Sequence, residues 1–286
     1  MSLYNEYKSS LKSFDVEEIL DLLIYRPISF LFVKLIYPTN LTPNQISIIS
    51  MIFGLGSGVL FYFGEYEYII AGGISIFISN VLDCADGQLA RLKKNGTKVG
   101  RIIDGFIDYV TGASIFFGIG FALHHITGNP LFGWGLAALG GFSRVLQNMF
   151  FDYYRNMYLQ YVYNKVNDVN AEIIEFTEEK ERLKSIKGKL LDKSLVNMYL
   201  FYCNLQINST KHVELSVTPE VYKQKNKTLL RLWSWIGSTT HLTLTIVFCF
   251  INRLDIYLLT TILLGNVIFL ILLIIQKIVI KKLSLN

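Results

Sequence analysis

Charge is what this sequence has least of. Asp, Glu, Lys and Arg make up only 17% of its 286 residues, against about 25% in soluble domains. Hydrophobic residues make up 52%, and the mean hydropathy is +0.40. That balance excludes an ordinary water-soluble domain and assigns most of the chain to lipid. Paired cysteine is also lacking. Cys84, Cys203 and Cys249 are scattered, odd in number and without a C-x-x-C pair, which excludes a zinc site and a disulfide framework and leaves three reduced packing residues. A signal peptide is not expected, because Tyr4 to Asp21 carries mixed charge where a basic start and an apolar core would be needed. No internal repeat or low-complexity tract occurs. The net charge of +5 is modest, and no nucleic-acid partner is expected.

What is present in abundance is apolar length. A bilayer core needs about 20 helical residues, and six stretches meet that need, near 44–63, 67–90, 102–124, 131–152, 231–251 and 255–277. Arg91, Lys93, Lys94, Lys98 and Arg101 lie between the second and third, the long 153–230 segment is rich in Lys and Arg, and Lys277, Lys281 and Lys282 close the chain. The other connections are poor in basic residues. Positive residues stay on the cytoplasmic side, so six spans with both termini in the cytoplasm is the expected topology.

Four segments follow: 1–38 at the N-terminus, spans 39–152, an insertion 153–230 between spans four and five, and 231–286. Phe14 to Tyr37 sets Ile19, Leu20, Leu22 and Leu23 against Asp15, Glu17, Glu18 and Asp21, and is interrupted by Arg26-Pro27. It reads as an amphipathic helix in the membrane interface or packed on the bundle's cytoplasmic end. Val166 to Asp192 carries Ile173, Ile174, Phe176, Leu183, Ile186, Leu190 and Leu191 at helical spacing, so the insertion is expected to be a helical pair. The fold class is thus all-α integral membrane, with six transmembrane helices, an N-terminal interfacial helix and a helical cytoplasmic insertion. Asn208-Ser209-Thr210 matches a glycosylation pattern, unused on the cytoplasmic side.

Four aspartates carry the chemistry. Asp83 and Asp86 are three apart, Asp104 and Asp108 four apart, so each pair lies on one helix face. A short link makes the two helices antiparallel neighbours on which four carboxylates converge. An Asp at mid-membrane costs about 2.5–3.5 kcal/mol on insertion scales, and four together repel. Hard cations such as Mg²⁺, Mn²⁺ or Ca²⁺ offset this, and two of them form the usual clamp for displacement at phosphorus. Gly87 and Ala90 share the Asp83 face and leave room for a ligand, Gly100 and Gly105 do so on the facing helix, and Arg91 is placed to meet phosphate oxygens.

The string D-x-x-D-G-x-x-A-R-x8-G-x-x-x-D-x-x-x-D, running from Asp83 to Asp108, resembles the signature of the CDP-alcohol phosphotransferase family at all eight fixed positions. Leu41-Thr42-Pro43-Asn44 resembles the family's lead-in to its first span. The resemblance covers residues about 38 to 152. It implies that Asp83, Asp86 and Asp104 bind metal, with two Mg²⁺ or Mn²⁺ ions expected. It makes Asp108 the general base and a contact of the second ion. Gly87, Ala90, Arg91 and Gly100, with Thr42, Pro43 and Asn44, would line the CDP site. The implied reaction is attack of an acceptor hydroxyl on the β-phosphorus with release of CMP, in phospholipid synthesis, by a homodimer embedded in the bilayer. The active site would face the cytoplasm, in the plasma membrane if the cell is prokaryotic. The donor is expected to be CDP-diacylglycerol or a related CDP-lipid and the acceptor a small polar alcohol. Transfer from soluble CDP-choline or CDP-ethanolamine to diacylglycerol stays open. Asp104-Gly-Phe-Ile-Asp108-Tyr109 departs from the D-P-x-x-D-K ending of glycerophosphate-transferring members, while inositol phosphate, inositol and serine stay open.

Rival readings explain less. Intramembrane aspartates also serve ion transporters, but that leaves Gly87, Ala90 and Arg91 without a reason. Intramembrane prenyltransferases use an N-x-x-x-D-x-x-x-D pattern, whereas Asn80, Asp83 and Asp86 are spaced by three. Arg144, Asn148 and Arg155 are candidates to hold an acceptor phosphate or carboxylate, Gln147 lying beside them; the blander reading has the two arginines snorkel to the interface. His241 is expected to be hydrogen-bonded within the bundle, and His124 and His125 to lie at the far face. Gly54, Gly56, Gly58, Gly72 and Gly73 are expected to permit close helix packing.

Overall fold

The computed structural model describes residues 3–95, 98–164, 169–186, 188, 190, 192–194, 196–197, 199–200 and 217–284, with backbone alone for 98–104 and 169–172. Among the described residues all regular structure is helical. The helices are α1 (Leu3–Ser10), α2 (Arg26–Ile36), α3 (Pro43–Tyr62), α4 (Tyr66–Lys93), α5 (Lys98–Thr127), α6 (Pro130–Tyr163), α7 (Val169–Lys184), α8 (Pro219–Trp233), α9 (Ser238–Phe250) and α10 (Leu254–Leu283).

Local chemistry explains several starts. Proline stands in the first turn of α3, α6 and α8, where its missing N–H costs nothing. Thr42 and Gln45 close a capping box at α3: the Thr42 hydroxyl accepts the Gln45 N–H at 3.3 Å, and the Gln45 side chain accepts the Thr42 N–H at 2.9 Å. Pro27 likewise falls in the first turn of α2 and does not interrupt it; a π-helical turn, Asp21–Tyr25, runs straight into it.

α3 is the shared partner of α4 and α5, so the two aspartate-bearing helices meet around it rather than simply side by side. The reason is its stripe of small residues, Ser47, Ser50, Gly54, Ser57 and Gly58, all buried. Ser50 Oγ donates to the Ser79 carbonyl at 2.8 Å and Ser79 Oγ to the Ser50 carbonyl at 2.9 Å. On the other side Ser114 Oγ donates to the Leu55 carbonyl at 3.1 Å. Gly58 touches the backbone of Ser114, and Gly118 the backbone of Gly58. Gly54, Gly72 and Gly73 also face neighbouring helices closely, while Gly56 has ordinary space around it. Gly58→Ala is expected to cost about 1–3 kcal/mol by overpacking against backbone, read as a lowered melting temperature; an unchanged one would mean that α3 and α5 separate freely.

Four described helices are long and apolar enough to cross a membrane: Pro43–Tyr62, Tyr66–Lys93, Gly105–Thr127 and Leu254–Leu283. The six-span expectation exceeds that. The stretch 131–152 lies inside α6, a single helix of 34 residues, but Ser143, Arg144 and Gln147 are buried in it and lower its hydropathy. The stretch 231–251 is not one helix: a 3-10 turn, Ser234–Ile236, and Gly237 separate α8 from α9. With 13 residues, α9 is about 20 Å long against a hydrocarbon core of about 30 Å.

In the N-terminal segment the acids Asp15, Glu17, Glu18 and Asp21 are buried, as are Val16 and Tyr25, while Ile19, Leu20 and Leu22 are half-buried and Phe14 and Leu23, with Leu31 and Leu35 on α2, are exposed. The acids turn inward because their partners are there. Glu17 pairs with Arg26 at 3.0 Å. Asp15 accepts from Tyr163 at 2.8 Å and pairs with Lys223 and Lys227 at 3.3 and 3.1 Å. Burial works against the Asp15 carboxylate, but those three partners outweigh it and hold the group at about 2.

In the insertion, Phe176 and Leu183 of α7 pack with Val196 and Leu200, whereas Ile174 and Leu190 are exposed. Asn208-Ser209-Thr210 and Cys203 lie outside the described residues. Cys84 and Cys249 are buried free thiols.

Candidate active site

α4 and α5 each contribute one aspartate to a narrow cleft. Ile76, Ser79, Asn80 and Asp83 line it from α4, Ile107, Asp108, Thr111 and Ile115 from α5, Ser50 from α3 and Leu242 from α9. Helical periodicity makes the two stripes: 76, 79/80 and 83 on one side, 107/108, 111 and 115 on the other. Asp83 is half-buried and Asp108 exposed. The Asn80 amide nitrogen and the Thr111 hydroxyl on the same walls are buried without hydrogen-bond partners.

Asp86 is turned toward α3. It is buried, and its carboxylate accepts a short hydrogen bond from Ser47 Oγ. The side chain of Asp104, one turn before Asp108, lies outside the described residues, as does Gly100. Among the described residues no three His, Cys, Asp or Glu side chains come together. The expected convergence of four carboxylates is therefore represented here by Asp83 and Asp108. The donor chemistry still fits a hard divalent cation: two carboxylates and the unpaired Thr111 oxygen are all hard oxygen ligands.

At the end of α4, Arg91 Nε donates a short hydrogen bond to the Ser10 carbonyl, and its Nη2 is buried without a partner. The guanidinium lies over Gly87, where an added Cβ would stand 3.3 Å from Nη2. The space expected to admit a ligand at Gly87 thus holds Arg91 itself. Ala90 is half-buried beside it. Lys93 Nζ donates to the Thr39 and Leu41 carbonyls at 2.9 and 3.0 Å, which ties Thr42, Pro43 and Asn44 to the end of the motif. The Thr42 hydroxyl is occupied as the α3 cap.

Residues 40–157 match the family described as CDP-alcohol phosphatidyltransferase. They form a CDP-alcohol phosphatidyltransferase domain. The chain is 36% identical over 86 residues to the archaetidylinositol phosphate synthase of Pyrococcus horikoshii, covering 30% of this chain and 44% of that protein. It is 30% identical over 129 residues to the bifunctional IPC transferase and DIPP synthase of Aquifex aeolicus, 45% of this chain and 28% of that one. Over 93 residues it is 30% identical to the phosphatidylinositol phosphate synthase of Corynebacterium glutamicum, 32% of this chain and 40% of that one. The chain spans less than half the length of each of these relatives.

Within the CDP-alcohol phosphatidyltransferase domain, α6 carries the acceptor candidates, and they do not snorkel outward together. Arg144 is buried; its Nη2 donates to Ser238 Oγ at 3.4 Å, its guanidinium lies 5.7 Å from the Phe116 ring centre, and Nη1 has no partner. Asn148, one turn on, buries an unpartnered Oδ1. Arg155 is engaged with Asp152 at 2.8 Å. Beside Arg144, Gln147 Nε2 donates to Asn266 Oδ1 at 2.8 Å and its Oε1 meets His241 Nε2 at 2.8 Å, so His241 is hydrogen-bonded within the bundle as expected. Asn266 Nδ2 donates to Ser143 Oγ at 3.0 Å. A π-helical turn in α10, Thr261–Gly265, sits against Gln147; such turns are frequent at functional sites.

Sequence reasoning missed Ser47, Arg26, Gln88 and Glu18. Glu18 accepts the Thr239 N–H at 3.1 Å and closes the start of α9, where Gly237 touches its carboxylate. Burial pushes the Glu18 carboxyl up, the neighbouring Asp21 adding to this and Arg155 opposing it. The α3 stripe of small residues was the available signal for Ser47; Glu18 gave none.

Proposed function

We propose that this protein transfers a substituted phosphate group from a CDP-alcohol, CDP-diacylglycerol or a related CDP-lipid, to a hydroxyl of a small polar alcohol, releasing CMP in phospholipid synthesis. The observation that carries the reading is the cleft shared by Asp83 and Asp108, inside a segment of the matching family. Asp83, Asp86, Asp104 and Asp108 would hold two divalent ions, Mg²⁺ or Mn²⁺. Bound there, such ions supply neutralising charge to the pyrophosphate and the leaving group.

The chain's own residues do the rest. Asp108, exposed at the cleft, accepts the acceptor hydroxyl proton as that oxygen bonds to the β-phosphorus. The bond from the β-phosphorus to the bridging oxygen breaks, and CMP carries that oxygen away. Ser47 keeps the Asp86 carboxylate oriented, and Arg91, with a buried and unpaired Nη2, is poised for a phosphate oxygen. The names of the Pyrococcus and Corynebacterium relatives, an archaetidylinositol phosphate synthase and a phosphatidylinositol phosphate synthase, favour an inositol phosphate as acceptor, and the unpaired Nη1 of buried Arg144 gives its phosphate a partner.

The reading extends to the membrane. Six crossings remain the proposed topology, because α6, at about 51 Å, exceeds the bilayer and α8 with α9 form a broken fifth crossing. Lys93, Lys94, Lys98, Lys277, Lys281 and Lys282 then put the motif on the cytoplasmic side, in a homodimer. The test is a CMP-release screen of purified protein with CDP-diacylglycerol and a divalent ion against alcohols and alcohol phosphates. Inositol phosphate is expected to give the fastest release. CMP formed only from CDP-choline and diacylglycerol would reverse donor and acceptor, and pyrophosphate release or ion flux without CMP would sink the transferase.

A further inference from the structure

The N-terminal segment grips α4 along the motif. Arg26 Nη2 donates to Glu17 Oε2 at 3.0 Å, and Nη1 donates to the Cys84 carbonyl at 3.2 Å. Cys84 stands between Asp83 and Asp86. Glu17 is itself fixed, since its Oε1 accepts the Lys12 N–H at 3.0 Å. One turn along, Gln88 Nε2 donates to the Arg26 carbonyl at 3.1 Å, and its Oε1 accepts from Ser29 Oγ at 2.8 Å. Arg26 and Glu17 have side chains only 12% and 5% exposed. Positions 84 and 88 lie on one face of α4, about 100° and 140° round the helix from Asp83.

A grip on that face sets the rotation of α4. Side chains stand about 5–6 Å from a helix axis, so a turn of about 20° carries a carboxylate roughly 2 Å. Metal–ligand distances tolerate only about 0.2 Å. Only an arginine supplies two separate N–H groups from a rigid fork, one for Glu17 and one for the Cys84 carbonyl; a lysine is a single point charge. A buried pair of this sort adds little net stability, so its worth lies in geometry.

We propose that Arg26, held by Glu17, is a positioning residue that fixes the rotation of the Asp83–Asp86 turn of α4 and thereby the affinity of the site for its divalent ion. The inference rests on the proposed function. It is tested on the purified full-length chain by three readouts: Mn²⁺ binding by electron paramagnetic resonance of the free ion, melting temperature, and CMP release with metal and acceptor titrated separately. Arg26→Lys keeps the charge and a partner for Glu17 but loses the second contact. It is expected to melt near the wild type, bind Mn²⁺ about tenfold more weakly and need correspondingly more metal for half-maximal turnover, with the acceptor KM unchanged. The double variant Glu17→Gln/Arg26→Met removes both charges of the pair, so neither partner is left buried without the other, and it is expected to give the same weakening. Folded variants with wild-type Mn²⁺ affinity, beside a wild-type chain that releases CMP, overturn this inference and leave the transferase reading standing. A change in donor KM with unchanged Mn²⁺ binding also overturns it, by making Arg26 a donor contact. A wild-type chain that releases no CMP from any CDP-alcohol overturns the transferase reading, and the inference with it.

Discussion

Asp83→Asn is expected to lower CMP release by at least about a thousandfold, roughly 4 kcal/mol of transition-state stabilisation, while the protein stays folded. Asp83 is half-buried and shares its cleft with Asp108. An amide there keeps the size and one oxygen but removes the charge that a divalent ion needs. The same replacement relieves repulsion with Asp86 one turn on, so the metal-free melting temperature holds or rises. Loss of activity with an intact or raised melting temperature separates this outcome from unfolding. Asp108→Asn and Asp104→Asn are expected to match it in size. Turnover retained within tenfold in the Asp83 variant would remove that carboxylate from the metal site. Asp86 differs from Asp83 because its carboxylate is buried against Ser47. Ser47→Ala would leave that carboxylate short of a donor, a weaker perturbation than losing a ligand.

What was legible is local: carboxylates three and four residues apart share a helix face, and Asp83 and Asp108 line one cleft. The glycine, alanine and arginine at fixed offsets point to a phosphate only through the family that they resemble. Ser47 showed only as one of the small residues striping α3, and Arg26 was not legible, because it meets the motif from another helix and no spacing in the chain encodes that approach. The N-terminal segment shows a different limit. Its two faces are plain from Asp15 to Leu23, but the pattern alone does not say which face is inner. In water the apolar face turns in. Here the acids turn in because their partners lie inside, Arg26 for Glu17 and the start of α9 for Glu18. The stretch 231–251 was misread as one helix: hydropathy averages over Ser234–Ile236 and Gly237, although the helix breaks there, with Glu18 holding the new start.

Arg144→Met is expected to raise the acceptor KM about thirtyfold or more, with the donor KM within twofold. One charge-assisted hydrogen bond to a phosphate is worth about 2 kcal/mol, and each 1.4 kcal/mol is about tenfold. The physical reason lies in how weakly Arg144 is partnered within the bundle. It is buried and, among the described residues, its hydrogen bond is a long one of 3.4 Å to Ser238, with Nη1 unpartnered. A methionine of similar length removes the buried charge and keeps the packing against Phe116, so the melting temperature holds or rises. An arginine kept for the fold would behave oppositely, because its contact with Ser238 joins α6 to the first turn of α9. Its replacement would lower the melting temperature and leave the acceptor KM unmoved. Measuring both quantities on one preparation decides between a residue that waits for an anion and one that merely ties two helices together. A raised KM for inositol phosphate, with no change for unphosphorylated inositol, would further assign the contact to the phosphate group.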